Sequence, residues 1–215
     1  MRHYIAYPGL AKISLGLLQE NYGPEFLEWV NKRTDIHGTL QRPPYTLTHW
    51  SGWVKSLDGS RGKNEVFAVL EHVGTKKKPA YRHIGHMGVH HISWPDGCAE
   101  TGSILGAPNV RGGGHGTEAK LLLLHHCFHV LGLRKLTSSV KAFNGNSLGH
   151  LIKCGYRICG RRTKQVFHEG AFVDEILLEL HLEDFEPVWE KYQKTKKIPH
   201  LTDVQRALVK KEIDS

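Results

Sequence analysis

The sequence predicts a mixed α/β domain, one sheet flanked by helices. Three observations carry this. The chain has 215 residues, enough for one such domain with appendages and for a proper core. Strand-like segments follow one another from residue 64 to residue 105 with no helical pattern between them. The stretch "NVRGGGHGTEAKLLLLHHCFHVLG", Asn109 to Gly132, then sets a glycine cluster directly before a long apolar run.

Lys12 to Leu18 alternates loosely and reads as a first strand. "GPEFLEWVNKR" follows as a helix, with Pro24 in the first turn, where its missing N–H is tolerated. A loop with two prolines leads to a second helix from Thr46, with Leu47, Trp50, Val54 and Leu57 on one face. Asn64 to Val73, Arg82 to Ser93 and Cys98 to Leu105 read as three strands joined by "GTKKKPA" and "WPDG" turns. A helix is expected from about Gly114 to Leu131 and a strand from Lys135 to Phe143. "NSLGHLIKCG" reads as a short helix ended by Gly155, and the following stretch as two strands turning near Glu169 and Gly170. The organisation expected is an N-terminal extension (1–9), the domain (10–182) and a charged helical tail (183–215) broken by Pro199.

Apolar residues make up 40% and charged residues 23%, a soluble globular balance, and no apolar run reaches the roughly 20 residues of a membrane span. The N-terminal stretch reads as neither signal peptide nor anchor. Four cysteines without a C-x-x-C pair suit a reducing cytoplasm. The formal charge of +8 favours acidic ligands, phosphate-bearing cofactors and nucleic acids both qualifying. Histidines crowd two stretches, His83, His86, His90, His91 and His125, His126, His129. His125 and His129 have metal-pair spacing, but the H-E-x-x-H glutamate and a third ligand are missing, so no metal is expected.

Four glycines within positions 112–116 need a physical reason. A helix N-terminus presents unpaired N–H groups and partial positive charge, and glycines let a large anion approach them. The loop therefore suits a diphosphate. A P-loop is excluded because no Gly-Lys-Ser/Thr occurs. Gly114, Gly116 and Ala119 satisfy a Rossmann turn formally, but "KLTSSVKAFN" lacks the acidic residue that a dinucleotide ribose needs.

"RGGGHG" has the form R/Q-x-x-G-x-G/A and resembles the acetyl-coenzyme A loop of the GCN5-related N-acetyltransferases (GNAT). "AETGSILGAPNVRGGGHGTEA", "VKAFNGNSLGHLIKCGY" and "EGAFVDEILLEL" resemble, in order, stretches of its RimJ/RimL branch. The resemblance covers about residues 10 to 182 and implies the GNAT fold: a central, mostly antiparallel sheet, splayed between the strand ending at Leu105 and the strand from Lys135. It also implies acetyl-CoA as co-substrate. Its pyrophosphate would lie on the amides of Arg111, Gly112, Gly113, Gly114, His115, Gly116 and Thr117, and its pantetheine arm along Ile104 and Leu105. Asn144 matches a cofactor-contacting asparagine and also suits a helix cap.

The resemblance implies direct attack of a primary amine on the thioester, without a covalent enzyme intermediate, so the cysteines are expected to be structural. Glu100 is the candidate base, acting through water. A backbone N–H near Leu105 would face the oxyanion. Ser147 is the candidate donor to the departing thiolate, because Leu151 stands where many relatives carry a tyrosine. Arg42, Tyr45, Trp50, Trp53 and Asp174 are candidates for the acceptor site. The basic loop "HGTLQRPPYT" favours an amine that also carries negative charge, such as a peptide, a nucleotide conjugate or an aminoacyl-tRNA; the branch also acetylates small amines, and homodimers occur in it. A non-catalytic CoA-binding or RNA-associated module is the alternative, though no RNA motif with interleaved aromatics is present.

Overall fold

A computed structural model describes residues 5–31, 44–60, 62–75, 77–110 and 112–214. Along the chain, β1 (Ile5–Pro8) and β2 (Ile13–Leu17) precede α1 (Gly23–Asn31) and α2 (Leu47–Gly59). Three strands follow, β3 (Glu65–His72), β4 (Tyr81–Ser93) and β5 (Cys98–Leu105). Next come α3 (His115–His125), continued by one π-helical turn (His126–Val130), then β6 (Lys135–Lys141) and α4 (Gly145–Lys153). The hairpin of β7 (Arg157–His168) and β8 (Ala171–His181) is followed by α5 (Leu182–Thr195) and α6 (Asp203–Asp214). The eight strands form one sheet in the order β1-β2-β3-β4-β5-β6-β8-β7. Every neighbouring pair is antiparallel except β5 and β6, which run parallel.

Local chemistry sets the helix ends. Thr46 Oγ1 accepts the His49 N–H at 3.2 Å and starts α2, the usual work of a threonine cap. Asn144 Oδ1 accepts the Ser147 N–H at 3.1 Å and starts α4. The β7–β8 turn falls at Glu169 and Gly170, where the sequence puts it, both with positive φ.

Both faces of the sheet are covered, so central strands are apolar on both sides. In β3, Phe67 and Val69 face the larger core under α3, α4 and α5, while Ala68 and Leu70 face the smaller one with Tyr22, Phe26 and Trp50 of the α1–α2 side. Two segments expected as appendages pack onto this body. Residues 5–8 add β1 to the sheet edge, beside β2. In α5, Phe185, Trp189 and Tyr192 are buried in the larger core. The side chain of Ile213 in α6 lies at Gly145 of α4, and that of Leu201 at Gly149. The charged letters of this segment hid a buried face, because amphipathic helices carry most of their charge outward.

Two buried charged groups sit two residues apart on α3. Glu118 is fully buried. Its carboxylate accepts the N–H groups of Ala11 (2.8 Å), Lys12 (2.8 Å) and Ile13 (3.1 Å), and the Tyr192 hydroxyl donates to it as well. One side chain thus ties α3 to the start of β2 and to α5. Burial and this carboxylate hold the Tyr192 phenol well above its ordinary range. We expect Glu118→Gln to lower stability by about 3 kcal/mol, because an amide nitrogen then faces backbone donors. An unchanged urea midpoint would refute that role.

Lys120 is also buried, at 1% exposure, and forms no ion pair among the described residues. Burial lowers its pKa to about 8, the thiols of Cys154 and Cys127 opposing the shift weakly. The folded state therefore binds fewer protons than the unfolded chain between pH 8 and 10.5, and stability rises with pH across that window. Below it the cost of charging is about 3 kcal/mol. Lys120→Met is expected to be more stable than the parent at pH 7, with the gap closing as pH approaches 10. Comparing the two proteins by thermal melts cancels the buried Cys127 and Cys154 thiols, which both retain and which burial pushes up to about 12.

Candidate active site

The parallel pair is short. β5 and β6 are in register only at Cys98–Lys135, Ala99–Leu136 and Glu100–Thr137. Beyond Glu100 the strands part. Side chains close the base of the gap: Ser138 Oγ donates to Thr101 O at 2.9 Å, and Thr101 Oγ1 and the Tyr156 hydroxyl lie 2.7 Å apart. From Gly102 to Leu105, β5 keeps β4 on one side and has no strand partner on the other. Glu100 is the last β5 residue paired with β6 and so stands at the apex of this opening. Its carboxylate is half-exposed, 3.4 Å from His91 Nδ1.

The glycine loop lies at the mouth of the opening. Gly112 and Gly114 have φ of 78° and 82°, left-handed backbone that favours glycine. At Gly116 a Cβ would come 3.1 Å from Leu105 Cδ1. The loop ends in the first turn of α3, whose N–H groups have no intrahelical partner. His115 turns inward, its Nδ1 3.0 Å from Val110 O and its Nε2 3.0 Å from Glu71 Oε1, so the ring braces the loop. Lys12 Nζ donates to Gly113 O at 3.3 Å. The side chain of Ile198, between α5 and α6, packs at Gly114.

Across the mouth, α4 presents Ser147, His150 and Cys154 on one face, at helical spacing i, i+3 and i+7. That face looks at α3: His150 Nε2 would lie 3.9 Å from a Cβ at Gly116, and Cys154 Sγ lies 3.9 Å from Thr117 O. His150 Nε2 is buried without a hydrogen-bond partner. Burial, then nearby Lys120, pushes this imidazole down to about 3, so it is neutral at pH 7. The glycines and the first turn of α3 beside the opening fit a phosphate-bearing group. Asn144 acts as the α4 cap, and Leu151 is buried in the core, which leaves no tyrosine at that position.

The opposite face of β4 and β5 carries a second feature. His86, Gly88 and His90 alternate along β4 and stand opposite Ile104, Gly102 and Glu100 of β5. A Cβ at Gly88 or Gly102 would meet the His90 ring, at 3.1 Å and 3.7 Å from its Nε2. The imidazole thus covers both glycines, and Glu65 O and Val66 Cγ2 also close on Gly88. Burial, then nearby His91, lowers the His90 pKa, against a weaker opposing pull from Glu100. On this same face lies a cavity of about 300 Å³ lined by Phe26, Tyr45, His49, Trp50, Trp53, His86 and Ile104. Asn31 at the end of α1 clamps the Tyr45 backbone through both its amide atoms, at 2.8 and 2.9 Å. Trp50 donates its indole N–H to Glu20 O, 2.9 Å away, which fixes the ring.

Of the expected residues, Leu105 and the loop from Gly112 to Thr117 lie at the opening with Asn144 and Ser147 of α4 across from them, whereas Glu100 and Ile104 stand on the other face of β5, where Ile104 lines the cavity with Tyr45, Trp50 and Trp53. Arg42 and Arg111 lie outside the described residues. Asp174 does not line the cavity; its carboxylate is taken up by Arg161 Nη1 at 3.0 Å and the Lys164 N–H at 2.8 Å, which lowers its pKa. His86, His90 and His150 were not among the expected site residues. The crowding of histidines was visible, but their alternation on one strand face became meaningful only with the register. Among the described residues no three His, Cys, Asp or Glu side chains converge as a metal site.

A sheet opened between parallel strands beside a glycine loop is the architecture of a class of acetyltransferases. The chain belongs to the GNAT family: residues 15–157 match the family model described as an acetyltransferase (GNAT) domain. Solved structures share the fold. Mycobacterium smegmatis RimJ in complex with CoA-disulfide aligns with a TM-score of 0.73 and 15% identity, over 93% of this chain and 95% of that one. Vibrio cholerae spermidine N-acetyltransferase in complex with CoA and spermine gives 0.69 and 18%, over 81% and 98%. The microcin C7 self-immunity acetyltransferase MccE in complex with acetyl-CoA and AMP gives 0.64 and 18%, over 80% and 93%. No curated protein matches the chain by sequence.

Proposed function

We propose that the chain transfers the acetyl group of acetyl-CoA directly to a primary amine, as a RimJ/RimL-like enzyme. The observation that carries this reading is the single opening between β5 and β6, with the glycine loop at one end and Glu100 at its apex. Acetyl-CoA supplies an activated acyl group and a thiol leaving group. The amides from Gly112 to Thr117 hold its diphosphate, and the free edge of β5 from Gly102 to Leu105 offers backbone groups to the pantetheine arm. That same edge supplies N–H groups for the oxyanion.

On the other face, Glu100 and the neutral His90 stand on neighbouring strands where the ammonium must lose its proton. Glu100 serves as base, directly or through water, and His90 is placed to share the proton. The Ser147 hydroxyl, on the α4 face turned to the loop, donates to the departing thiolate. Cys127 and Cys154 are buried thiols held protonated, which suits direct transfer without a covalent enzyme intermediate.

Thiol release from acetyl-CoA with a panel of amines tests the reading. Glu100→Gln is expected to lower turnover about a hundredfold while CoA affinity by calorimetry stays the same. Gly116→Asp puts a carboxylate in the cradle at a position with ordinary backbone, and CoA affinity is expected to fall at least about tenfold. Unchanged affinity in that variant would remove the diphosphate from the loop.

A further inference from the structure

We propose that Lys120 is the acid of the transfer: its ammonium gives a proton to the CoA thiolate as the thioester breaks. This rests on the acetyl-transfer reading above and adds a catalytic residue to that site.

Lys120 stands one turn beyond Gly116 on the same face of α3, about 6 Å further along the helix axis. Gly116 abuts Leu105, at the end of the free β5 edge, and His150 of α4. The neighbours of Lys120 place it deeper, toward the fork. His150 and Cys154 of α4 and Cys127 in the turn that continues α3 lie near enough to interact with its charge. So does His90 of β4, which stands opposite Glu100 at the apex. Cys127 and Cys154 also neighbour the Tyr156 phenol, which closes the base of the gap with Thr101. Lys120 thus lies beneath the opening, between the glycine loop and the apex. It is 1% exposed and forms no hydrogen bond or ion pair among the described residues. A buried amine without a counter-ion destabilises a fold, and such groups gather at reactive centres.

The reaction needs an acid at this place. When the tetrahedral intermediate collapses, the carbonyl re-forms, the C–S bond breaks and its electron pair leaves on sulfur. The Ser147 hydroxyl can hydrogen-bond that sulfur, but yielding its own proton would leave an alkoxide, a stronger base than the thiolate. The net proton must come from a group matched to a thiol, whose ordinary pKa is about 8.5. Burial rules out the other groups at the fork. It holds His150 neutral, at about 3, pushes the Cys127 and Cys154 thiols up to about 12, and holds the Tyr156 phenol well above its ordinary range. Lys120, lowered by burial to about 8, is charged at pH 7 yet acidic enough to give its proton up. The step cancels two buried charges at once, the ammonium and the thiolate. The amine's proton goes to Glu100, and the neutral Lys120 takes a proton back from solvent before the next turnover.

Lys120→Met tests this, since it puts an apolar chain of similar length in place of the amine and is expected to fold more stably at pH 7. With the amine of the panel that turns over fastest, kcat at pH 7 should fall about a hundredfold while KM for acetyl-CoA stays within about twofold. In the parent, kcat should decline as pH rises past about 8, where Lys120 loses its proton, and the variant should lack that decline. A second readout needs no turnover: the thiolate of bound CoA is followed by its ultraviolet absorbance in a pH titration. Beside the ammonium, the thiol should ionise at least about one pH unit lower in the parent than in Lys120→Met. Equal kcat and parallel pH profiles overturn the inference and leave the transferase reading standing. A fall in kcat with an unchanged thiol titration marks a structural role only and overturns it as well. If no amine is acetylated, the transferase reading fails and the titration decides: a lower thiol pKa in the parent supports Lys120 beside the sulfur, whereas identical titrations, or no CoA bound, overturn that placement.

Discussion

The buried Glu118 carboxylate is the constraint on which the cofactor side depends. Three consecutive backbone N–H groups, from Ala11 to Ile13, converge on it, together with the Tyr192 hydroxyl. A carboxylate buried that deeply is stable only when its oxygens are filled. Satisfying it fixes the first turn of α3 against β2, two residues after the last glycine of the loop. The loop is also held by His115, bridged between Val110 and Glu71. On the proposed reading a diphosphate meets a loop already braced, which spares the ordering entropy a mobile loop would lose.

The opening in the sheet has an equally local cause. Parallel strands normally continue their ladder, yet β5 and β6 stop after three residue pairs. Past that point Thr101, Ser138 and Tyr156 exchange side-chain hydrogen bonds where backbone bonds would otherwise form. These hydroxyls satisfy the polar groups at the fork and keep it from becoming an unpaired, buried edge. The free edge of β5 that remains is backbone without a strand partner, suited to a chain that is itself extended. The gap therefore exists before any ligand arrives.

Much of this was legible in the residues, and the failures have identifiable causes. Pro24, Thr46, Asn144 and Gly170 marked element ends because their effects are local. The diphosphate loop was legible for the same reason: glycines beside a helix start leave few alternatives. The pairing of His90 with Glu100 and of Gly88 with Gly102 was not, since register between strands depends on the bulges near Gly85 and His91. Asp174 looked like an acceptor-side carboxylate from its place in a motif; its partners, the Lys164 N–H and Arg161 on the neighbouring strand, could not be read without the register. In the final segment the lysines form a solvated face, as their number suggested, and the choice between packing on the domain and extending from it, open in the sequence, is decided by Phe185, Trp189 and Tyr192, which lie in the main core.

Charge is distributed between the two ends of the site in a way that the net value of +8 conceals. Lys12 reaches the loop carbonyl of Gly113, and Lys196 and Lys197 lead directly into Ile198, which packs at Gly114. Positive charge thus gathers at the glycine loop, adding to the partial charge of the α3 N-terminus. The acceptor cavity is different in kind, because its two innermost titratable rings, His86 and His90, are kept neutral by burial. An ammonium entering this region meets rings and uncharged nitrogens, with Glu100 as the carboxylate beside them. The same desolvation that lowers the imidazoles also disfavours the ammonium, which moves the amine toward the neutral form that attacks a carbonyl. A glycine loop at a helix N-terminus and an apolar cavity with neutral imidazoles lie on opposite faces of one eight-stranded sheet, so each suits a ligand recognised by a different interaction.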